Sequence, residues 1–430
     1  MRPKPAWPKA KIIEIQANEK WALNGGPFGS KLVSSMYFDE GVPVIRGVNL
    51  PLERRFLMQD FVFVSEQKAQ ELRANWARPL DVVFTQRGTL GQVGLIPKDS
   101  PYDRFVISQS QMKLTVDTKR ASPEFIYYTF RAPETVQRIT DLASSSGVPH
   151  INLETLRQFE ITLPSLDVQH RIAGILSAYD DLIEVNTRRI TILEEMARRL
   201  FDEWFVKCRV PAEKRTLITT LSDSLPSGRI ETALADIASV NADTISPADA
   251  PSVIHYIDIS SVSPGVVNEI RTLAFSEAPG RARRRVRSGD ILWSMVRPNR
   301  RSHALLVRPQ PDTIASTGFA VLTARTVPWS YLYLALTTDQ FVSYLEGRTR
   351  GSTYPAVSAS DFEEATLLLP PKKALQEFDR HATPTLELAD GLHHQNQKLR
   401  AARDLLLPKL ISGEIDLSGS GPATKQAAAE

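Results

Sequence analysis

Residues 145–164 read SSGVPHINLETLRQFEITLP, and residues 351–370 read GSTYPAVSASDFEEATLLLP. Pro149 aligns with Pro355, Ile151 with Val357, Leu156 with Phe362, Ile161 with Leu367 and Pro164 with Pro370, all at one offset of 206. Upstream, ISQSQMKL from Ile107 matches ASTGFAVL from Ala315 at 208, and LDVVFTQRG from Leu80 matches GDILWSMVRP from Gly289 at 209. FIYYTF from Phe125 matches YLYLAL from Tyr331, again at 206. Such slow drift over half a chain marks a duplication with small loop changes. A period this long is no solenoid, so each copy is a domain with an appendage.

The wider composition agrees. A chain of 430 residues exceeds one ordinary domain, and 42% hydrophobic with 23% charged residues is globular usage. The longest apolar runs, such as Ala365 to Pro371, fall far short of the ~18 residues a membrane helix needs. Met1 to Lys11 has no apolar core, so no secretory signal is expected there. A lone cysteine, Cys208, excludes an intrachain disulfide and a cysteine-based zinc cluster, and points to a reducing cytoplasm. Net charge is only +3, yet nine arginines stand between Arg281 and Arg308 against one acid, Asp290. That density is the footprint of a polyanion site, unless the stripe is simply a solvated loop.

Within each copy, short apolar runs broken by Gly, Pro and Asn read as strands, among them PVIRGV (from Pro43), DVVFT (Asp81), IHYIDI (Ile254) and FAVLTA (Phe319). Each copy also has a helical stretch from Ser122 or Trp329, and each closes on a longer one. In the first, Ile172, Leu176, Tyr179, Ile183, Asn186, Ile190, Leu193, Ala197, Leu200 and Trp204 keep an unbroken 4-3 spacing, a heptad seam. The second repeats it less well from Phe378 to Leu410, with Asn396 in the seam. An antiparallel pair with Asn186 facing Asn396 sets Ile190 on Leu392 and Trp204 near Phe378, with the asparagines on a pseudo-two-fold axis fixing register. Capping signals at Ser177 and at Thr383-Pro384 predict a helix break in each copy. The long helix then runs from about Ala178 to Val206, 29 residues or about 43 Å. The fold class is α+β: two repeated α/β domains joined by two long antiparallel coiled-coil helices, pseudo-two-fold symmetric. Two polyanion-binding heads on a spacer near one turn of B-DNA suit a two-part DNA site.

These residues resemble the specificity subunit of type I restriction-modification enzymes. The likeness rests on PFGSKL (from Pro27), GVPVIRGVNL (Gly41), VFTQRGTLGQVGLIP (Val83), the run from Ile151 to Ile190, and NQKLRAARDLLLPKLISGEI (Asn396), in two-copy order. It implies target-recognition domains at 1–163 and 208–369, spacer helix regions at 164–207 and 370–418, and a flexible C-terminal tail at 419–430. The implied partners are double-stranded DNA, two methyltransferase subunits and restriction (motor-nuclease) subunits. The chain itself is expected to hold no metal or cofactor; S-adenosylmethionine, ATP and Mg²⁺ belong to the partners. No Walker A, Gly-x-Gly-x-x-Gly or Asn/Asp-Pro-Pro-aromatic motif is present, so no catalytic residue is expected. The alternatives are a coiled-coil protein adaptor without DNA specificity, and a specificity subunit serving a methyltransferase with a fused nuclease.

The candidate DNA-contacting residues lie on loops: Lys31, Arg46, Arg87, Gln109 and Gln111 in the first copy, and Arg283, Arg285, Arg297, Arg300 and Arg301 in the second. Arginine suits bidentate contact to guanine, and glutamine to adenine. Ile172, Ile175, Leu182, Phe201 and Phe205 exceed what one seam can bury and are expected to face partner subunits.

Overall fold

The computed structural model describes residues 7–143, 149–209, 230–351 and 354–417. The tail expected at 419–430 lies outside the described residues. The chain forms two compact units, Met1–Asn186 with Gln395–Glu430, and Thr187–His394.

The first unit is built on two four-stranded sheets. One runs in the order Leu23–Gly25, Gln111–Leu114, Val82–Thr85, Val93–Leu95, all antiparallel. The other runs Val62–Val64, Val42–Ile45, Phe105–Ile107, Trp76–Ala77, and its two central strands are parallel. Central strands buried on both faces read as continuous apolar runs, which is why VPVI, VVFT and FVI carry no alternation. Helix Pro123–Arg131 starts where Ser122 accepts the Phe125 N–H and Pro123 fills the first turn. It buries Phe125, Ile126, Tyr127, Tyr128 and Phe130, and Phe130 meets Phe84 edge-on at 4.7 Å.

The second unit repeats this order. Its sheets are Ala238–Val240, Phe319–Ala324, Asp290–Ser294, His303–Leu306 and Arg271–Ala274, Val253–Ile257, Thr313–Ser316, Ala282–Arg285, with the parallel pair again central. Asp81 and Asp290 are turn residues in both: each accepts a backbone N–H three residues upstream, from Arg78 at 2.9 Å and from Arg287 at 2.7 Å. Burial pushes both carboxyls up.

The two long helices are Leu166–Phe201 and Lys372–Ile411, 36 and 40 residues, and neither breaks where expected. The seam continues through both cap signals, since Ile172, Leu176, Phe378 and Ala382 are all buried. The capping hydroxyls find other partners: Ser177 meets the Tyr128 hydroxyl at 3.4 Å, and Thr383 donates to Asp379 at 2.5 Å. Apolar burial here outweighs a local preference worth about 1 kcal/mol. The first helix ends in a π-helical turn, Asp202–Val206.

The helices pair antiparallel within each unit. In the first unit, Asn186 donates to Asn396 and to Gln395, each at 3.0 Å, while Asn396 donates to the Ile183 carbonyl at 3.3 Å. In the second, Ile190 clusters with Ala389 and Leu392, and Trp204 lies 6.2 Å from Phe378. The weaker seam is buried as thoroughly as the stronger one. Phe378, Ala382, Ala389, Leu392, Asn396, Arg403 and Leu410 are buried, as are their counterparts 206 residues earlier, Ile172, Leu176, Ile183, Asn186, Ile190, Ala197 and Trp204. The asparagine pair of the first unit is not repeated in the second. At the offset of 206, Asn186 corresponds to Leu392 and Asn396 to Ile190, an apolar pair.

Candidate nucleic-acid interface

In the first unit, backbone hydrogen bonds gather several loops at one end of the sheets. Gly26 N donates to Gln111 O (2.8 Å), Ser108 N to Ile45 O (2.9 Å) and Gln86 N to Ser110 O (2.7 Å). Gly88 N donates to Pro149 O (3.3 Å) and Ile151 N to Gln86 O (3.1 Å). Gly26 is required by this closeness, because a Cβ there overlaps the Ser108 carbonyl. The structure therefore brings Lys31, Arg46, Arg87, Gln109 and Gln111 into one loop cluster.

Their availability differs. Lys31 and Arg87 are exposed. Gln109 is exposed too, but its amide nitrogen donates to Gly29 O at 2.5 Å and Leu32 O at 2.7 Å, so it pins the loop that presents Lys31. Arg46 is half-buried and donates to Asp60 O at 2.8 Å. Gln111 is buried and accepts from the Ser108 hydroxyl, which removes it from any surface role. It opens the strand Gln111–Leu114, which is buried at every position, a placement the loop-like spelling ISQSQ concealed.

The second unit builds the same cluster with the same bonds. Met295 N donates to Gly318 O (2.9 Å), Arg297 N to Pro355 O (2.7 Å) and Val357 N to Met295 O (2.9 Å). These are the counterparts of the Gln86, Gly88 and Ile151 bonds. Between them sits the turn Pro298–Arg300, flanked by Arg297 (φ 52°, ψ 62°) and Arg301 (φ 53°, ψ 35°) in the left-handed region. The corresponding residues of the first unit are Gly88 (φ 101°) and Gly91 (φ 84°). A left-handed non-glycine residue costs roughly 1–2 kcal/mol. Arg297 lies 5.1 Å from the ring centroid of Tyr354, Arg301 donates to Asp339 at 2.5 Å, and Arg300 is exposed.

Part of the arginine stripe is paired with acids from elsewhere in the chain. Arg281 is held by Asp258 at 2.5 Å, and Arg287 by Asp243 at 2.6 Å, with Arg285 at 3.8 Å from the same carboxylate. Arg308 meets Asp390 at 3.1 Å. Burial pushes the Asp258 carboxyl up, but hydrogen bonds from Ser260, Arg281 and Tyr256 outweigh it and hold it at about 2. Arg283 packs over Phe275 at 5.3 Å. Arg283 and Arg285 stand on an edge strand, Ala282–Arg285, where charge also discourages pairing with another chain.

The apolar set divides as well. Ile172, Phe201 and Phe205 are buried in their own units, Phe205 lying 5.0 Å from Phe378 and 5.3 Å from Tyr331, so they are not free for partners. Ile175 (37% exposed) and Leu182 (40%) do face outward. Val185, Ile192 and Met196 are exposed on the same helix and were legible as a second apolar row beside the seam. No described helix is long and apolar enough to cross a membrane.

Residues 70–195 match the family model of the type I restriction modification DNA specificity domain. The chain carries a type I specificity domain. Over 68% of its length it is 26% identical to the MjaIX type I restriction enzyme specificity subunit of Methanocaldococcus jannaschii, covering 69% of that protein. It is 21% identical to the HindI specificity subunit of Haemophilus influenzae, over 74% of this chain and 83% of that one. Its fold is that of the type I restriction-modification S subunit from M. genitalium, with a TM-score of 0.62 at 16% identity over 95% of this chain and 97% of the other. The chain is thus similar to type I specificity subunits across its repeats, not only in the specificity domain that the family model spans.

Proposed function

We propose that this chain is the DNA-recognition subunit of a type I restriction-modification complex, without a catalytic site of its own, acting in the cytoplasm. Each unit reads one half of a two-part target in double-stranded DNA through its loop cluster. Methyltransferase and restriction subunits dock on the helical regions, with Ile175 and Leu182 among the contacts, and supply S-adenosylmethionine, ATP and Mg²⁺ chemistry. Asn186 and Asn396 hold the helix register.

One observation carries this reading. The two loop clusters are built by corresponding backbone bonds yet present different side chains: Gln86, Arg87 and Gly88 in one, Met295, Val296 and Arg297 in the other. A duplicated frame with divergent tips is what reading two different half-sites requires, because phosphate contacts position a domain and base contacts specify.

The test is methylation-sensitive long-read sequencing of the host with this gene intact and deleted. The expected result is loss of one modified motif made of two short specified blocks around unspecified bases. An unchanged methylome, with the neighbouring methyltransferase expressed, overturns the proposal.

A further inference from the structure

Arg297 occupies a position for which glycine is the natural residue. The same turn in the first unit, closed by the corresponding bond to Pro149, uses Gly88. The second unit holds an arginine left-handed there, followed by Pro298, and so retains a side chain where the backbone disfavours one. That side chain is not spent on the fold through an ion pair: among the described residues its partner is the ring of Tyr354, itself 68% exposed, at 5.1 Å. A stacked guanidinium keeps its fork of N–H donors free at the edge and fixed in plane. Arg301, also left-handed, anchors the other end of the turn to Asp339.

Resting on the DNA-recognition reading above, we propose that Arg297, oriented by Tyr354, is the base-reading residue of the second unit and recognises a guanine through its O6 and N7 edge. A phosphate contact needs charge but no fixed plane, and the exposed Arg300 in the same turn supplies charge without stacking. The first unit, with glycine at this position, reads its half-site by other side chains.

The experiment selects bound sequences from a pool of random duplex DNA with the full chain, as wild type, Arg297→Gly and Arg297→Lys, and melts each protein. Wild type is expected to enrich a guanine at one position of one block. Both variants lose that preference by about tenfold to a hundredfold while the other block is retained. Arg297→Gly holds or raises the melting temperature, by up to about 4 °C, as the backbone strain is released against the entropy of a glycine. A uniform loss of affinity with the guanine preference intact makes Arg297 a phosphate contact and overturns the proposal. A clear fall in melting temperature for Arg297→Gly overturns it too, because the arginine is then a structural residue. If wild type enriches no sequence at all, the DNA-recognition reading fails first, and this proposal falls with it.

Discussion

Truncating Arg403 to alanine strands a carboxylate inside the first unit. Arg403 Nη1 lies 2.6 Å from Asp180 Oδ1, both side chains are 7% exposed, and Asp180 Oδ2 accepts the Tyr128 hydroxyl at 2.7 Å. The second unit carries the same three positions 206 residues away as Leu334, Leu386 and Ala197, all buried in one apolar cluster. One architecture thus tolerates both a buried ionic triad and an apolar one. Removing one partner of a buried pair costs about 3–5 kcal/mol, whereas replacing the whole set by apolar groups of matched shape is close to neutral or stabilising. Arg403→Ala is therefore expected to destabilise the first unit by about that amount. The triple variant Tyr128→Leu, Asp180→Leu, Arg403→Ala, which copies the second unit, is expected to return within about 1 kcal/mol of wild type or above it. Hydrogen exchange with urea titration reads this, peptides of the second unit serving as the internal reference, since two units need not unfold together. A cost below 1 kcal/mol for Arg403→Ala, or a triple variant no better than the single, refutes the reasoning.

The asparagine pair obeys the same logic. Asn186→Leu takes the Asn186 donor from Asn396 Oδ1 and costs about 1–3 kcal/mol in urea unfolding, while Asn186→Leu with Asn396→Ile, copying Leu392 and Ile190, recovers it. Burial holds His303 at about 4, well below its ordinary value, so it stays neutral when folded and protonates on unfolding below about 6.5. The second unit should keep full stability above pH 6.5 and lose up to about 3 kcal/mol as the pH falls to 4; a pH series of melting curves in which His303→Phe removes none of that loss counts against it. For DNA binding, Lys31→Ala and Arg300→Ala should each reduce the salt slope of the affinity by about one, while Arg285→Ala, beside Asp243, should leave it nearly unchanged.

The duplication, the mixed α+β class and the heptad seam were all legible in the chain, because each is a matter of spacing along it. A 4-3 repeat of apolar residues buries one helix face whatever else happens, and a shared offset survives loop changes. Even the poor seam from Phe378 to Leu410 was placed correctly, since Arg403 occupies a heptad position although nothing in its spelling says it is buried. Charge and exposure were not legible in the same way. Nine arginines near one acid look like a free stripe until folding brings Asp243, Asp258, Asp339 and Asp390 beside them, from as far as 82 residues away in sequence. Gln111 looked like a loop amide until strand pairing turned it inward, and Phe201 and Phe205 looked surplus until Phe378 and Tyr331 closed over them. The helices run through Ser177 and Thr383 because long-range burial outweighs a local cap. Spacing is a property of neighbours along the chain, whereas a partner's charge or cover comes from residues that only folding brings near. That is why the repeated frame could be read in advance, whereas the sorting of candidate side chains into exposed ones such as Lys31, Arg87 and Arg300 and spent ones such as Gln111 needed the fold.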